Sequence, residues 1–272
     1  MPFTRKLIIY FLAVLLVLAG PAAAAAAPFE FTITVKKAFD KMTAGTNQTT
    51  AAKLNKLYAD LQTIQKEDLN WDKKISEIHY RNEENALLVR KRINEIDSAK
   101  IARLEAELVR TKDRYKPLFA LYESLKQQLK TVKAMKNKEM TSVLRTQVDN
   151  VKAAVHLAKQ DIRAKEAALK AAKSARAQTK KRIRSILADI NPVKVKIKAE
   201  KSNVSRIKKQ FTAETKLLNQ AVRKGEVTAS MNSFSRLLRS MRLIIGHKSN
   251  ILSYEQRISA IIAKALAQLN LP

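Results

Sequence analysis

The chain has 272 residues, with 53 Lys and Arg against 24 Asp and Glu, a formal charge of +29, no cysteine, 4 glycines and 6 prolines. So few turn residues exclude a β-sandwich or barrel, and the absence of cysteine excludes disulfides, thiolate chemistry, cysteine-ligated metals and a lipid-anchored cysteine. Ala, Lys, Leu, Arg, Gln and Glu dominate, and there is a single Trp; this composition suits long helices meeting through thin interfaces rather than a thick globular core.

The charge is not spread evenly. Residues 51–100 hold 10 basic and 9 acidic groups, whereas residues 151–210 hold 18 and 4. A localised excess of this size is a statement about partners rather than about solubility alone.

At the N-terminus, Arg5 and Lys6 precede the apolar run Leu7 to Ala19, Gly20 and Pro21 break it, and Ala22 to Ala27 supply small residues. This three-part layout predicts a signal peptide over residues 1–27, cleaved near Ala26 or Ala27, and a secreted or envelope-associated protein. The competing reading is an uncleaved anchor, since Leu7 to Ala27 nearly reaches spanning length. Alanine and Gly-Pro make a weak span, and no second apolar segment reaches that length.

Residues 28–50 are expected to be a short extended or irregular segment. Phe29 to Val35 alternates apolar and polar residues, as in a strand or the loose start of a helix, and Thr43 to Thr50 is a polar breaker fit to cap the first long helix. From residue 51 a 3-4 spacing takes over. Leu54, Leu57, Leu61, Ile64, Asp68, Trp71, Ile75, Ile78, Asn82, Asn85 and Val89 form one stripe, with Asp68, Asn82 and Asn85 as polar positions where packing should be imperfect. A second stripe runs from Ile101 to Val132 and a third from Val148 to Ile190. They are out of register with each other, which predicts a hairpin tip within residues 134–141, although a stutter in one continuous helix would leave the same pattern. Pro117 leaves its stripe undisturbed and predicts a kink in residues 51–190 rather than an end.

Asn191-Pro192 predicts a new helix over 192–224, ended by Lys224-Gly225-Glu226. An amphipathic helix over 229–271 follows, with Phe234, Leu238, Met241, Ile245, Lys248, Leu252, Glu255, Ser259, Ile262, Leu266 and Leu269 on its stripe. Together, Leu237, Leu238, Ile244, Ile245, Ile261 and Ile262 exceed what one stripe needs. They either pack within the bundle or form a partner or membrane face. The fold class is therefore all-α: a long antiparallel coiled coil or elongated helical bundle after a signal peptide.

Catalytic patterns are missing. His79, His156 and His247 are far apart and match no metal motif. His79 and Glu83 lie one turn apart, which suits a surface hydrogen bond better than a ligand pair. The carboxylates Glu67, Asp68, Asp72, Glu83 and Glu84 lie among lysines and arginines and read as solvated salt-bridge faces. No phosphate-cradling glycine loop is present. These readings point away from an enzyme and from any cofactor or metal. Asn47-Gln48-Thr49 and Asn203-Val204-Ser205 match the glycosylation pattern, a match that chance supplies in most chains of this length.

The remaining candidate is a polyanion-binding surface made of Lys152, Lys159, Arg163, Lys170, Lys173, Arg176, Lys180, Lys181, Arg182, Arg184, Lys194, Lys196, Lys198, Lys201, Arg206, Lys208 and Lys209. A regular row of cations suits a linear polyanion because each neutralised charge releases counterions. No aromatic residue occurs between Tyr122 and Phe211, which disfavours base stacking and leaves only non-specific nucleic-acid binding. The plainer reading is a self-repelling solvated face that keeps the protein soluble.

The expected partner is an anionic envelope polymer (teichoic acid or acidic polysaccharide) or an anionic lipid surface. The coiled-coil seam could also meet another helical protein or a second copy. In general plan, as a basic exported coiled coil with a short extended start, the chain is similar to the Skp family. That resemblance implies a periplasmic holdase chaperone, although this chain is much longer and has no Skp motif. A helical scaffold or regulator of a cell-wall hydrolase is the third reading.

Overall fold

The computed structural model describes residues 29–269. The expected signal peptide, residues 1–27, lies outside them. Six helices account for nearly all of the described chain: α1 Ile33–Ala44, α2 Gln48–Glu95, α3 Ser98–Ala134, α4 Lys138–Ala188, α5 Ile190–Lys224 and α6 Val227–Leu269. Among the described residues no strand forms. The all-α bundle expected from composition and spacing is the observed class.

The helix ends follow local chemistry. Thr32 accepts a hydrogen bond from the Val35 amide, Asn47 from Thr50 and Asn137 from Met140, each satisfying an amide that the first turn leaves unpaired. Gly225 takes φ +71° after α5, and the Glu226 amide reaches back to the Ala221 carbonyl at 2.9 Å, which closes the helix in a left-handed cap. Pro192 lies in the first turn of α5, where its missing N–H leaves no gap. Pro117 lies inside α3, which continues through it.

Two sequence expectations need correction. Residues 28–50 are not extended throughout: residues 29–32 are irregular, and α1 occupies 33–44. The alternation of Phe29, Phe31 and Ile33 has no neighbouring strand to pair with, and Thr32 caps a helix instead. The long region 51–190 is also broken at Ile96-Asp97, where Asp97 takes φ 52°. Aspartate tolerates this left-handed conformation better than most residues. Lys136, with φ 54°, makes the corresponding turn between α3 and α4, inside the predicted tip.

The chain forms two compact units. The first contains residues up to Asn82 and Asn191–Ser259. Within it Asp68 of α2 meets Lys248 of α6, and Asn82 meets Glu255, so these two helices run parallel. Glu200 meets His247, and Glu214 meets Arg236, so α5 runs antiparallel to α6. The three helices thus pack up, down and up. α6 is lined on two sides, and Leu237, Leu238 and Ile244 are all buried. These three of the apolar residues in excess of one stripe are used inside the bundle, whereas Ile245 is half-buried.

One end of this unit is closed by aromatic rings. Phe31 stacks on Tyr58 at 5.0 Å, and Phe29 and Phe234 meet it edge-on at 5.0 and 6.1 Å. Phe39 lies 6.0 Å from Phe234. Offset and edge-on pairs of this kind add to the area they bury. The Phe29 amide donates to Gln65 Oε1 at 2.7 Å, so the residues preceding α1 are fixed by both packing and a buried hydrogen bond.

The second unit contains Glu83–Ile190 and the chain from Ala260 on. Its main feature is the α3–α4 hairpin, with the two helices packed antiparallel. Lys173 pairs with Glu105 and Lys165 with Glu107, followed by Lys112 with Glu166 and Arg114 with Asp161. Ile101, Thr111, Val148, Val155, Ala158 and Ile183 are buried in this seam. Toward the tip cover thins: from residue 112 to 147 every residue keeps at least partial solvent contact.

Replacing Phe39 by alanine is expected to cost about 3–5 kcal/mol, as for other buried aromatics. Ile33→Ala, at a site 79% exposed, should cost less than about 0.5 kcal/mol. Urea denaturation followed by circular dichroism measures both.

Candidate functional site: cationic helix faces and a buried polar seam

The candidate cations fall on two helices. On α4, Lys152, Lys159, Arg163, Lys170, Lys181 and Arg184 recur at steps of 7, 4, 7, 11 and 3 residues. At 3.6 residues per turn this spacing keeps all six on one side. All six are exposed, and the row covers about 48 Å at 1.5 Å per residue. No carboxylate occurs on α4 after Glu166.

The other α4 candidates are engaged within their own unit. Lys173 pairs with Glu105 at 2.7 Å, Lys180 donates to the Asn94 carbonyl at 3.4 Å, and Arg182 donates to Gln268 at 3.4 Å. Arg176 is half-buried at a seam position. The structure therefore separates a free row from four cations that serve packing.

The α5 candidates belong to the first unit. Lys194, Lys198 and Lys201 follow at steps of 4 and 3, and all are exposed. Lys196 lies over the Tyr254 ring at 5.8 Å. Arg206 and Lys209 are exposed, and Lys208 is half-buried. Lys208 lines a cavity of about 250 Å³ with Phe29, Gln65, Asp68, Phe211 and Met241. The 60-residue basic stretch, continuous in sequence, is thus divided between two folding units.

The feature that sequence reading missed is the pairing of polar seam positions in the first unit. Lys248 is 2% exposed, and its ammonium sits 2.5 Å from Asp68 and 2.7 Å from Asp72. It also donates to the Asp68 carbonyl at 3.2 Å. Two turns along, Glu255 is 1% exposed and accepts from Asn82 at 2.9 Å, with His79 Nδ1 at 2.8 Å from its other oxygen. Ser259 donates to Asn82 at 2.5 Å. On the α5 side, Glu200 meets His247 at 2.5 Å and Asn250 at 3.2 Å.

Three expectations are corrected by this seam. Asp68 does not sit on a solvated salt-bridge face but is buried against Lys248, which also reaches the half-exposed Asp72. His79 turns to Glu255 rather than to a carboxylate on its own helix. The polar position Asn82 does not mark imperfect packing, because its partner is on α6; Asp68 also has its partner there, but it lines the cavity of about 250 Å³, as expected of imperfect packing. The available signal was the presence of Lys248 and Glu255 on the α6 stripe, one heptad apart. Their opposite charges ask for complementary groups on the facing helix.

Burial acts to raise the Glu255 carboxyl. Hydrogen bonds from His79 and Asn82, with the charges of His79 and Lys201, outweigh it and hold the group below its ordinary value. Burial also raises Glu214, and Arg236 and Ser233 more than offset it, with a net lowering. Among the described residues no group of three His, Asp or Glu side chains is placed to hold a metal ion, and no helix is long and apolar enough to cross a membrane. Comparison with protein-family models, with curated proteins and with solved structures gave no match.

Lys248→Met leaves two carboxylates facing an apolar group and should cost about 3–5 kcal/mol, as when one member of a buried pair is removed. Adding Asp68→Leu should recover a large part of that loss, read from the urea midpoint.

For Glu255 the folded carboxyl lies below its unfolded value of about 4.3, so the unfolded chain takes up protons first on acidification. The stabilisation is complete above that value and disappears as pH falls through the folded one. The melting temperature should therefore drop below about pH 4.3, and Glu255→Gln should flatten that part of the curve.

Proposed function

We propose that this is an exported, non-enzymatic coiled-coil protein that binds anionic polymers of the cell envelope, such as teichoic acid or acidic polysaccharide. The observation that supports it best is the exposed α4 row of Lys152, Lys159, Arg163, Lys170, Lys181 and Arg184. The row is one-sided and about 48 Å long, and the last part of α4 has no carboxylate to neutralise it. A straight file of cations of this length fits an extended polyanion, whose condensed counterions are released on contact. The exposed lysines of α5 would add contacts of the same kind from the other unit.

A row that served only to keep the protein soluble would give weak binding, spread over all surface cations. A binding row makes the six α4 positions dominate. Sedimentation with purified anionic wall polymer should give affinity that falls linearly with log salt concentration. Changing all six residues to glutamine should lower affinity at least tenfold and reduce the salt slope, while the melting temperature stays within about 3 °C because exposed sites contribute little to stability. Equal binding by this variant, or retention independent of salt, would reject the proposal.

A further inference from the structure

The α3–α4 turn combines two properties. Its apolar side chains point into solvent: Met135 is 71% exposed, Met140 56% and Val143 59%. Around them stand Lys130, Lys133, Lys136, Lys138 and Arg145, all exposed. Glu139 is the sole carboxylate between Glu123 and Asp149. Lys136 makes the turn itself, with φ 54°, and Asn137 caps the next helix, so the apolar residues are held on either side of a defined bend.

We infer that this tip is a docking point for an anionic lipid bilayer, with Met135, Met140 and Val143 entering the headgroup–acyl boundary and the cations contacting lipid phosphates. A surface-bound element needs both an apolar face and a polybasic patch, since one signal alone gives marginal attachment. The tip has both within sixteen residues. Methionine is suited to this role because its flexible, polarizable side chain fits a disordered apolar medium.

A second copy of the same tip would bring five cations against five. A protein partner would be expected to meet a shaped groove, whereas Met135, Met140 and Val143 stand more than half exposed at the end of a helical hairpin. No crossing of the membrane is implied, as no described helix is long and apolar enough to span one. The inference does not rest on polymer binding, since it uses different residues.

The test is co-sedimentation of the mature full-length protein with vesicles of phosphatidylcholine containing about one-third phosphatidylglycerol, and with phosphatidylcholine alone. The expected result is binding to the anionic vesicles and little to the neutral ones. The M135S/M140S/V143S variant, whose α4 row is intact, should bind at least tenfold more weakly with unchanged thermal melting. A second variant, M135W, should blue-shift on binding and be quenched by brominated acyl chains. Undiminished binding of the triple variant would overturn the inference, as would an unshifted M135W. So would a wild-type protein that ignores vesicles but dimerises through the tip in analytical ultracentrifugation.

Discussion

The first unit depends on two buried charges of opposite sign on one helix face. Lys248 and Glu255 are one heptad apart on α6, and each meets its own complement on α2. Apolar heptads are nearly interchangeable, so a three-helix bundle built from Leu and Ile alone can slide by seven residues at modest cost. Here a slide of seven would bring Glu255 to the place of Lys248, beside Asp68 and Asp72. The reverse slide would put Met241 there and leave both carboxylates without a cation. Buried pairs contribute little net stability, but they penalise every alternative register. They also enforce the parallel order of α2 and α6, which a purely apolar seam would leave open.

The two units handle their surfaces differently. In the first, the helices bury much of their stripe and one end is closed by Phe29, Phe31, Phe39, Tyr58 and Phe234. In the second, two helices share a seam in which no residue from 112 to 147 is fully buried. A pair of helices has no third wall, so its flanks stay available to solvent and to anything that binds there. The cationic row of α4 and the apolar tip both occupy this less enclosed unit. Their side chains cost little folding energy, which leaves their chemistry open to change without loss of the fold.

Much of this was legible in the sequence. The 3-4 spacing located the long helices, the register change around Lys136 located the hairpin, and Lys224-Gly225-Glu226 located a helix end, because each is a local property of the chain. The break at Asp97 was not found, since a single left-handed residue leaves the flanking stripes intact. Helix α1 was left open between a strand and the loose start of a helix, because the β-branched run Thr32-Ile33-Thr34-Val35 looks extended until Thr32 is seen to cap. The charged seam was visible only as a set of polar residues at apolar positions. Which of them meet is a question of helix order, and Asp68 is separated from Lys248 by 180 residues. The cations were easy to name and hard to sort: only packing distinguishes Lys170, on the open row, from Lys173, paired with Glu105.

The connectivity of the first unit also has a kinetic side. Its aromatic closure joins Phe31 to Phe234 and its polar seam joins α2 to α6, while the hairpin of the second unit is made from neighbouring segments. Contacts near in sequence form early, whereas those that close long loops wait. The α3–α4 hairpin can therefore assemble as soon as it is synthesised, but α1 and α2 have no complete partner until α6 exists. Until then the N-terminal third of the chain lacks the contacts that hold it in the folded first unit. The long-range closure therefore delays tight packing of the first unit until the last helix has been made.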